Sequence, residues 1–140
     1  MALPNISGAK TYVDGSILTE QNLDEIFLDE LHTLFFIQTS TTLADNTSSA
    51  AVIFSETASS ATAIQVEYSL ARGTGNIETG MLYIVNDGTN ADVAGTSSGI
   101  GTLGTTFTAD INAGLVRLLF TTTSTGTAVT MKYRQWFWQA

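Results

Sequence analysis

Gly95-Thr96-Ser97-Ser98-Gly99 has the spacing of a G-x-S-x-G nucleophile segment. That segment works because a strained strand-to-helix turn lifts the serine hydroxyl into the open, where an imidazole takes its proton. No helical period follows here, because the next residues are Ile100-Gly101-Thr102-Leu103-Gly104. The single histidine, His32, precedes the serine, so the order serine, acid, histidine is not met. A loop of small residues fits the same spacing, and no catalytic residue is assigned.

Three other sets of residues invite a chemical reading. Gly73-Thr74-Gly75 follows a strand pattern, where a phosphate loop would begin. It lacks the third glycine of a dinucleotide site, the lysine of a P-loop and a following helix, so it reads as a hairpin loop. Asp87, Asn90 and Asp92 offer oxygen ligands, but without EF-hand spacing or a closing glutamate, and a polar hairpin tip explains them. His32 has no second nitrogen or sulfur ligand nearby, so neither a metal nor another cofactor is expected. Arg72 has the parity of Leu70, which extends the inward face at the strand end. It is either paired, with Glu78 the nearest acid across the bend, or exposed.

The 140 residues suit one ordinary domain, with no cysteine for staples. Charged residues are only 13%, against 44% hydrophobic, and threonine is about a sixth of the chain. Such a chain folds, and its low charge implies that a partner covers part of the exterior. The net charge is −8, with five basic residues. That excludes a phosphate-neutralising face for nucleic acid, and an anionic membrane would repel the chain. The longest apolar run, Leu34-Phe35-Phe36-Ile37, is too short to span a bilayer, and MALPNISGAK lacks the apolar stretch of a signal peptide.

Two regions must position these residues. Residues 1–40 form an N-terminal arm. Thr19 sits as an N-cap before Glu20, and Leu23, Ile26, Phe27, Leu31, Leu34 and Phe35 recur at helical spacing. Asp24, Glu25, Asp29 and Glu30 take the opposite face. This predicts an amphipathic helix over about 20–35, whose apolar stripe is the docking face, with the chain passing through FFIQTSTT into a strand. Residues 41–140 change to strand periods. Ala50–Phe54, Ala63–Leu70, Met81–Val85, Phe107–Ile111, Leu115–Phe120 and Thr127–Trp138 read as strands, and 95–105 as a glycine-rich loop. About seven strands at this spacing make a mainly β domain, an antiparallel, jelly-roll-like sandwich.

The last strand is aromatic on both faces. Val129, Met131, Tyr133 and Phe137, with Gln135 among them, share one; Thr130, Lys132, Arg134, Trp136 and Trp138 share the other. An antiparallel sheet in a monomer wets one face. Either both indoles pack in the protein's own core or against the helix, or Trp136, Trp138 and Arg134 anchor a contact between subunits, a role also open to Arg72.

Val66-Glu67-Tyr68-Ser69-Leu70-Ala71-Arg72-Gly73 followed by Glu78-Thr79-Gly80-Met81-Leu82 resembles the E-Y-S-x-x-R-G … E-T-G-x-L run of a β domain in bacteriophage virion proteins. Phe107–Asp110, Val116–Leu118, Thr121–Gly126 and Met131–Tyr133 continue that likeness. Tyr12-Val13-Asp14-Gly15 through Leu18-Thr19 to Asn22-Leu23 resembles a G-x-x-L-T-x-x-x-L-N segment near the start of phage tail and fibre proteins, with its last pair reversed. The resemblance implies a non-enzymatic virion part located on the tail or capsid surface. It would be a homotrimer, with the arm docking on other virion proteins and the β domain projecting toward a host surface glycan or protein. The lack of a shaft repeat excludes a long fibre and leaves a short fibre or adaptor of the tail or baseplate. A capsid decoration or head-fibre protein is the alternative. From the residues alone a carbohydrate-binding module is a third reading, because Tyr and Trp rings can stack on sugars.

Overall fold

A computed structural model describes residues 38–138. The predicted helix and its stripe, Leu23, Ile26, Phe27, Leu31, Leu34 and Phe35, lie outside them. The described part is mainly β, with eight antiparallel strands and no helix. They are β1 (Thr39–Leu43), β2 (Ala51–Thr57), β3 (Ala63–Arg72), β4 (Asn76–Asn86), β5 (Ala91–Ile100), β6 (Thr105–Asn112), β7 (Leu115–Thr122) and β8 (Val129–Trp138). β1 begins inside the span assigned above to the arm.

The strands form two facing sheets, one ordered β1-β8-β3-β4-β5 and the other β2-β7-β6. Strict alternation in β3 explains its central place. Ile64, Val66, Tyr68 and Leu70 are buried on the inner face, while Gln65, Glu67 and Ser69 point out. Val129, Met131 and Tyr133 of β8, Leu82 and Ile84 of β4, and Val116, Leu118 and Phe120 of β7 close the core with Leu43 and Leu103. Phe54 stacks on Tyr133 with ring centroids 5.7 Å apart, and Tyr68 meets the edge of Phe107 at 5.3 Å, so aromatic pairs bridge the two sheets.

The break after β3 is a hairpin turn. β3 and β4 pair from Ala63↔Val85 to Arg72↔Asn76, and Gly73 and Gly75 take φ of 59° and 85°, the left-handed region. Two sequence expectations are corrected. Eight strands are present, and residues 95–100 are strand, not loop, because β5 pairs with β4 without interruption from Asn86↔Ala91 to Ile77↔Ile100. The glycines that suggest a loop are instead required by close packing. A Cβ at Gly95 would lie 2.7 Å from the Leu82 side chain, and one at Gly99 would lie 2.9 Å from the Ile77 carbonyl.

Candidate functional site

Register places the side chains of the five-stranded sheet's outer face in rows. Trp138, Ala63, Val85 and Asp92 form one row; Trp136, Gln65, Tyr83 and Ala94 the next; Arg134, Glu67, Met81 and Thr96 the third. Trp136 is 41% exposed, Trp138 50%, Tyr83 47% and Val85 56%. Four large apolar side chains therefore occupy two neighbouring rows, the indoles on β8 and Tyr83 and Val85 on β4 with Ala63 and Gln65 of β3 between them, above a core already complete. Both indoles lie on this outer face, so neither packs in the core of the β domain, while packing against the predicted helix falls outside the described residues. Phe137, on the inner face, is also exposed.

Polar groups border the aromatic rows. Arg134 donates to Glu67, directly across the strands, at 2.5 Å, and its guanidinium lies 5.7 Å from the Trp136 ring centroid. The cation thus holds one indole in place while its own charge is balanced. The Gln65 amide and the Tyr83 hydroxyl both donate to the Met81 sulfur. Lys132, Arg134, Glu67, Ser69, Thr79 and Gln38 line an open groove of about 280 Å³ along the same sheet. Below it, Gln135 donates to Glu56 of β2 at 3.0 Å and ties the sheets together.

Arg72 does something else. It is 2% exposed and its ion-pair partner is Asp45, not Glu78. Its guanidinium also donates to the carbonyls of Leu103, Thr123 and Thr127, so one side chain gathers three loops. Asp45 in turn accepts the N–H groups of Thr125 and Gly126. These two N–H groups, Thr125 foremost, and the Arg72 charge outweigh desolvation and hold the Asp45 carboxyl below the usual range. Arg72 is thus spent inside the domain, whereas Arg134, Trp136 and Trp138 share the open face. Glu78 instead accepts the Tyr68 hydroxyl proton at 2.7 Å. Burial first, then this bond, push the Tyr68 phenol up to about 12.

The chemical segments take structural places. Gly95 to Gly99 lies wholly in extended β5, which gives Ser97 no nucleophile elbow. Asp87 accepts the N–H groups of Thr89 and Asn90 at the β4–β5 hairpin tip, and Asp92 accepts that of Val93. Tyr83 and Val85 are the surface residues that sequence reasoning missed. Their parity is readable from Met81–Val85, but which face of β4 is covered becomes known only when its neighbours are.

No protein-family model and no curated protein matches the chain. Among solved structures, the crystal structure of the Acinetobacter phage vB_ApiP_P1 tailspike protein is similar, with a TM-score of 0.47 and 18% identity. The likeness covers 71% of this chain and 21% of that one, so the chain spans about a fifth of that protein's length.

Proposed function

We propose that this chain is a non-enzymatic structural part of a bacteriophage virion, a homotrimeric short fibre or adaptor of the tail region. The observation that carries the reading is the exposed cluster of Trp136, Trp138, Tyr83 and Val85 on an otherwise complete domain. Aromatic residues with a neighbouring arginine and few charges are the composition of an interface centre. Copies of the chain related by a threefold axis would bury it. The β3–β4 hairpin, whose residues carry the resemblance to virion β domains, backs this surface. The arm supplies the attachment to neighbouring virion proteins.

Light scattering on the purified chain tests the assembly, with the mass of three chains or a multiple of three expected. Gold label on a tag at Ala140 tests the position. Label at the tail in a few tens of copies or fewer supports the reading. Label over the capsid shell in hundreds of copies would replace it with a decoration protein. A carbohydrate-binding role is favoured by one observation, the indoles beside a groove that presents Lys132 and the hydroxyls of Ser69 and Thr79. A glycan array with no bound sugar removes it.

A further inference from the structure

We infer that β5 is a second self-association element, pairing edge to edge and antiparallel with β5 of another copy. This contact is separate from the aromatic face. β5 ends the five-stranded sheet and has β4 as its one strand neighbour. The Asp87 N–H donates to the Asn90 carbonyl at 3.1 Å, which sets the phase of the β4–β5 ladder. Alternation then makes Asp92, Ala94, Thr96, Ser98 and Ile100 the residues that exchange bonds with β4. Ala91, Val93, Gly95, Ser97 and Gly99 turn their N–H and C=O groups outward. Consistent with this, the Val93 N–H is met by the Asp92 carboxylate at 2.9 Å. Among the described residues, no strand meets these outward groups.

Exposed edges are normally blunted by short length, a bulge, lysine or proline. β1 has only five residues, and β2 is bulged between Val52 and Phe54. β5 has ten residues in unbroken register, no lysine, no proline and a single charge, Asp92. From Ala94 to Gly99 its side chains are small on both faces, so nothing there sterically keeps another strand away.

The sequence of β5 fits a second copy of itself. Antiparallel pairing centred on Gly95 sets Ala91 opposite Gly99 and Val93 opposite Ser97, with Gly95 facing its own copy. All five outward residues then find partners, in about ten hydrogen bonds. Asp92 falls opposite Ser98, whose hydroxyl can donate to it, and the two Asp92 charges lie far apart. The Asp92 carboxylate would exchange its own-strand bond to Val93 for that donor.

Register-specific cross-linking tests this. The chain has no cysteine, so introduced thiols are unambiguous. Ala94 of one copy would face Thr96 of the other in a non-hydrogen-bonded pair, with Cα atoms about 4.5 Å apart, within disulfide reach. Ala94→Cys chains mixed with Thr96→Cys chains are expected to form a disulfide-linked dimer on oxidation, and each variant alone is not. No cross-link in the mixture, or equal cross-linking of the single variants, overturns the inference. Light scattering separates it from the trimer reading. With both contacts the mass is six chains. Thr96→Lys, which brings two like charges together diagonally, reduces it to three. Trp136→Ala with Trp138→Ala reduces it to two. A Thr96→Lys protein whose mass matches the parent's also overturns the edge contact. Loss of the threefold mass alone overturns only the trimer.

Discussion

Arg72 and Asp45, 27 positions apart in sequence, form an ion pair at one end of the sandwich, where the β1–β2, β5–β6 and β7–β8 loops converge. The guanidinium is buried, and its remaining donors are taken by the carbonyls of Leu103, Thr123 and Thr127. Arg72→Ala leaves these acceptors and a carboxylate without their partner. A loss of about 2–3 kcal/mol is expected, chiefly from the carbonyl acceptors left without their buried donor, because Asp45 itself is partly exposed. Arg72→Met, which keeps packing but no donor, should recover little of it. The midpoint of urea unfolding, read with the slope, checks both variants.

Acid stability depends on the other partner. The Asp45 carboxyl sits below its ordinary value of 3.8 in the folded chain, chiefly through the Thr125 N–H. The unfolded chain therefore binds the proton first as pH falls. Asp45 contributes stability above pH 3.8 that is lost as pH drops through its lower folded value. Asp110, held down by its bond from Arg117, and Asp87, held down by the Asn90 and Thr89 N–H groups, act in the same sense. Asp45→Asn should make the acid limb of a stability-against-pH curve shallower while lowering the neutral plateau. An unchanged acid limb would show that the loop-end carboxylate does not titrate with folding.

The alkaline side is set by Tyr68. Its phenol rises from 10 to about 12 in the folded chain. The unfolded chain releases this proton first as pH rises. Stability is thus fully present below pH 10 and is lost progressively between there and pH 12. Tyr133, also raised by burial, adds to the loss. Tyr68→Phe should flatten part of this decline, with phenolate absorbance as the direct measure of the titration. The same change removes the bond to Glu78 and costs about 1 kcal/mol at neutral pH.

Strands whose one face is covered were legible from their alternation. β3 announces itself through Ile64, Val66, Tyr68 and Leu70, and β8 through Val129, Met131 and Tyr133, because burial on one face selects every second residue. β5 was not legible. Most of its side chains are exposed on both faces, so no period is imposed, and its glycines answer to Leu82 and Ile77 on the neighbouring strand. The Asp45 partner of Arg72 was hidden for a different reason. Sequence proximity favoured Glu78, whereas loop convergence is a property of the closed sandwich. At the surface, Arg134, Trp136 and Trp138 could be assigned to one face from parity, but that this face is the outer one required the second sheet.

The β6–β7 turn holds a residue under strain. Ala113 and Gly114 take φ of 52° and 77°, positive at both central positions. This is the signature of a type I′ hairpin, which suits the right-handed twist of the flanking strands. The left-handed region costs alanine about 1–2 kcal/mol. Ala113→Gly relieves that but adds unfolded-state freedom, so a net gain of about 0.5–1 kcal/mol is expected. Ala113→Asn should gain a similar amount. A fall in the melting temperature of either variant would contradict the turn geometry.

The aromatic face separates folding from assembly. Trp136 and Trp138 cover no core residue, so replacing them touches the isolated domain only at its surface. Trp136→Ala removes the ring beside Arg134, a contact of about 0.5–1 kcal/mol at an exposed site, and Trp138→Ala less than that. An interface anchored on the same rings loses far more, about 2 kcal/mol or above for each buried anchor. Unfolding midpoints of the single variants, measured at low concentration, should therefore stay near the parent while the concentration needed for association rises by an order of magnitude or more. Iodide quenching of indole emission gives an independent reading. In the parent it should fall as concentration rises and the rings become covered. Quenching that is strong and independent of concentration would leave the face in solvent, and the self-assembly reading would fail with it.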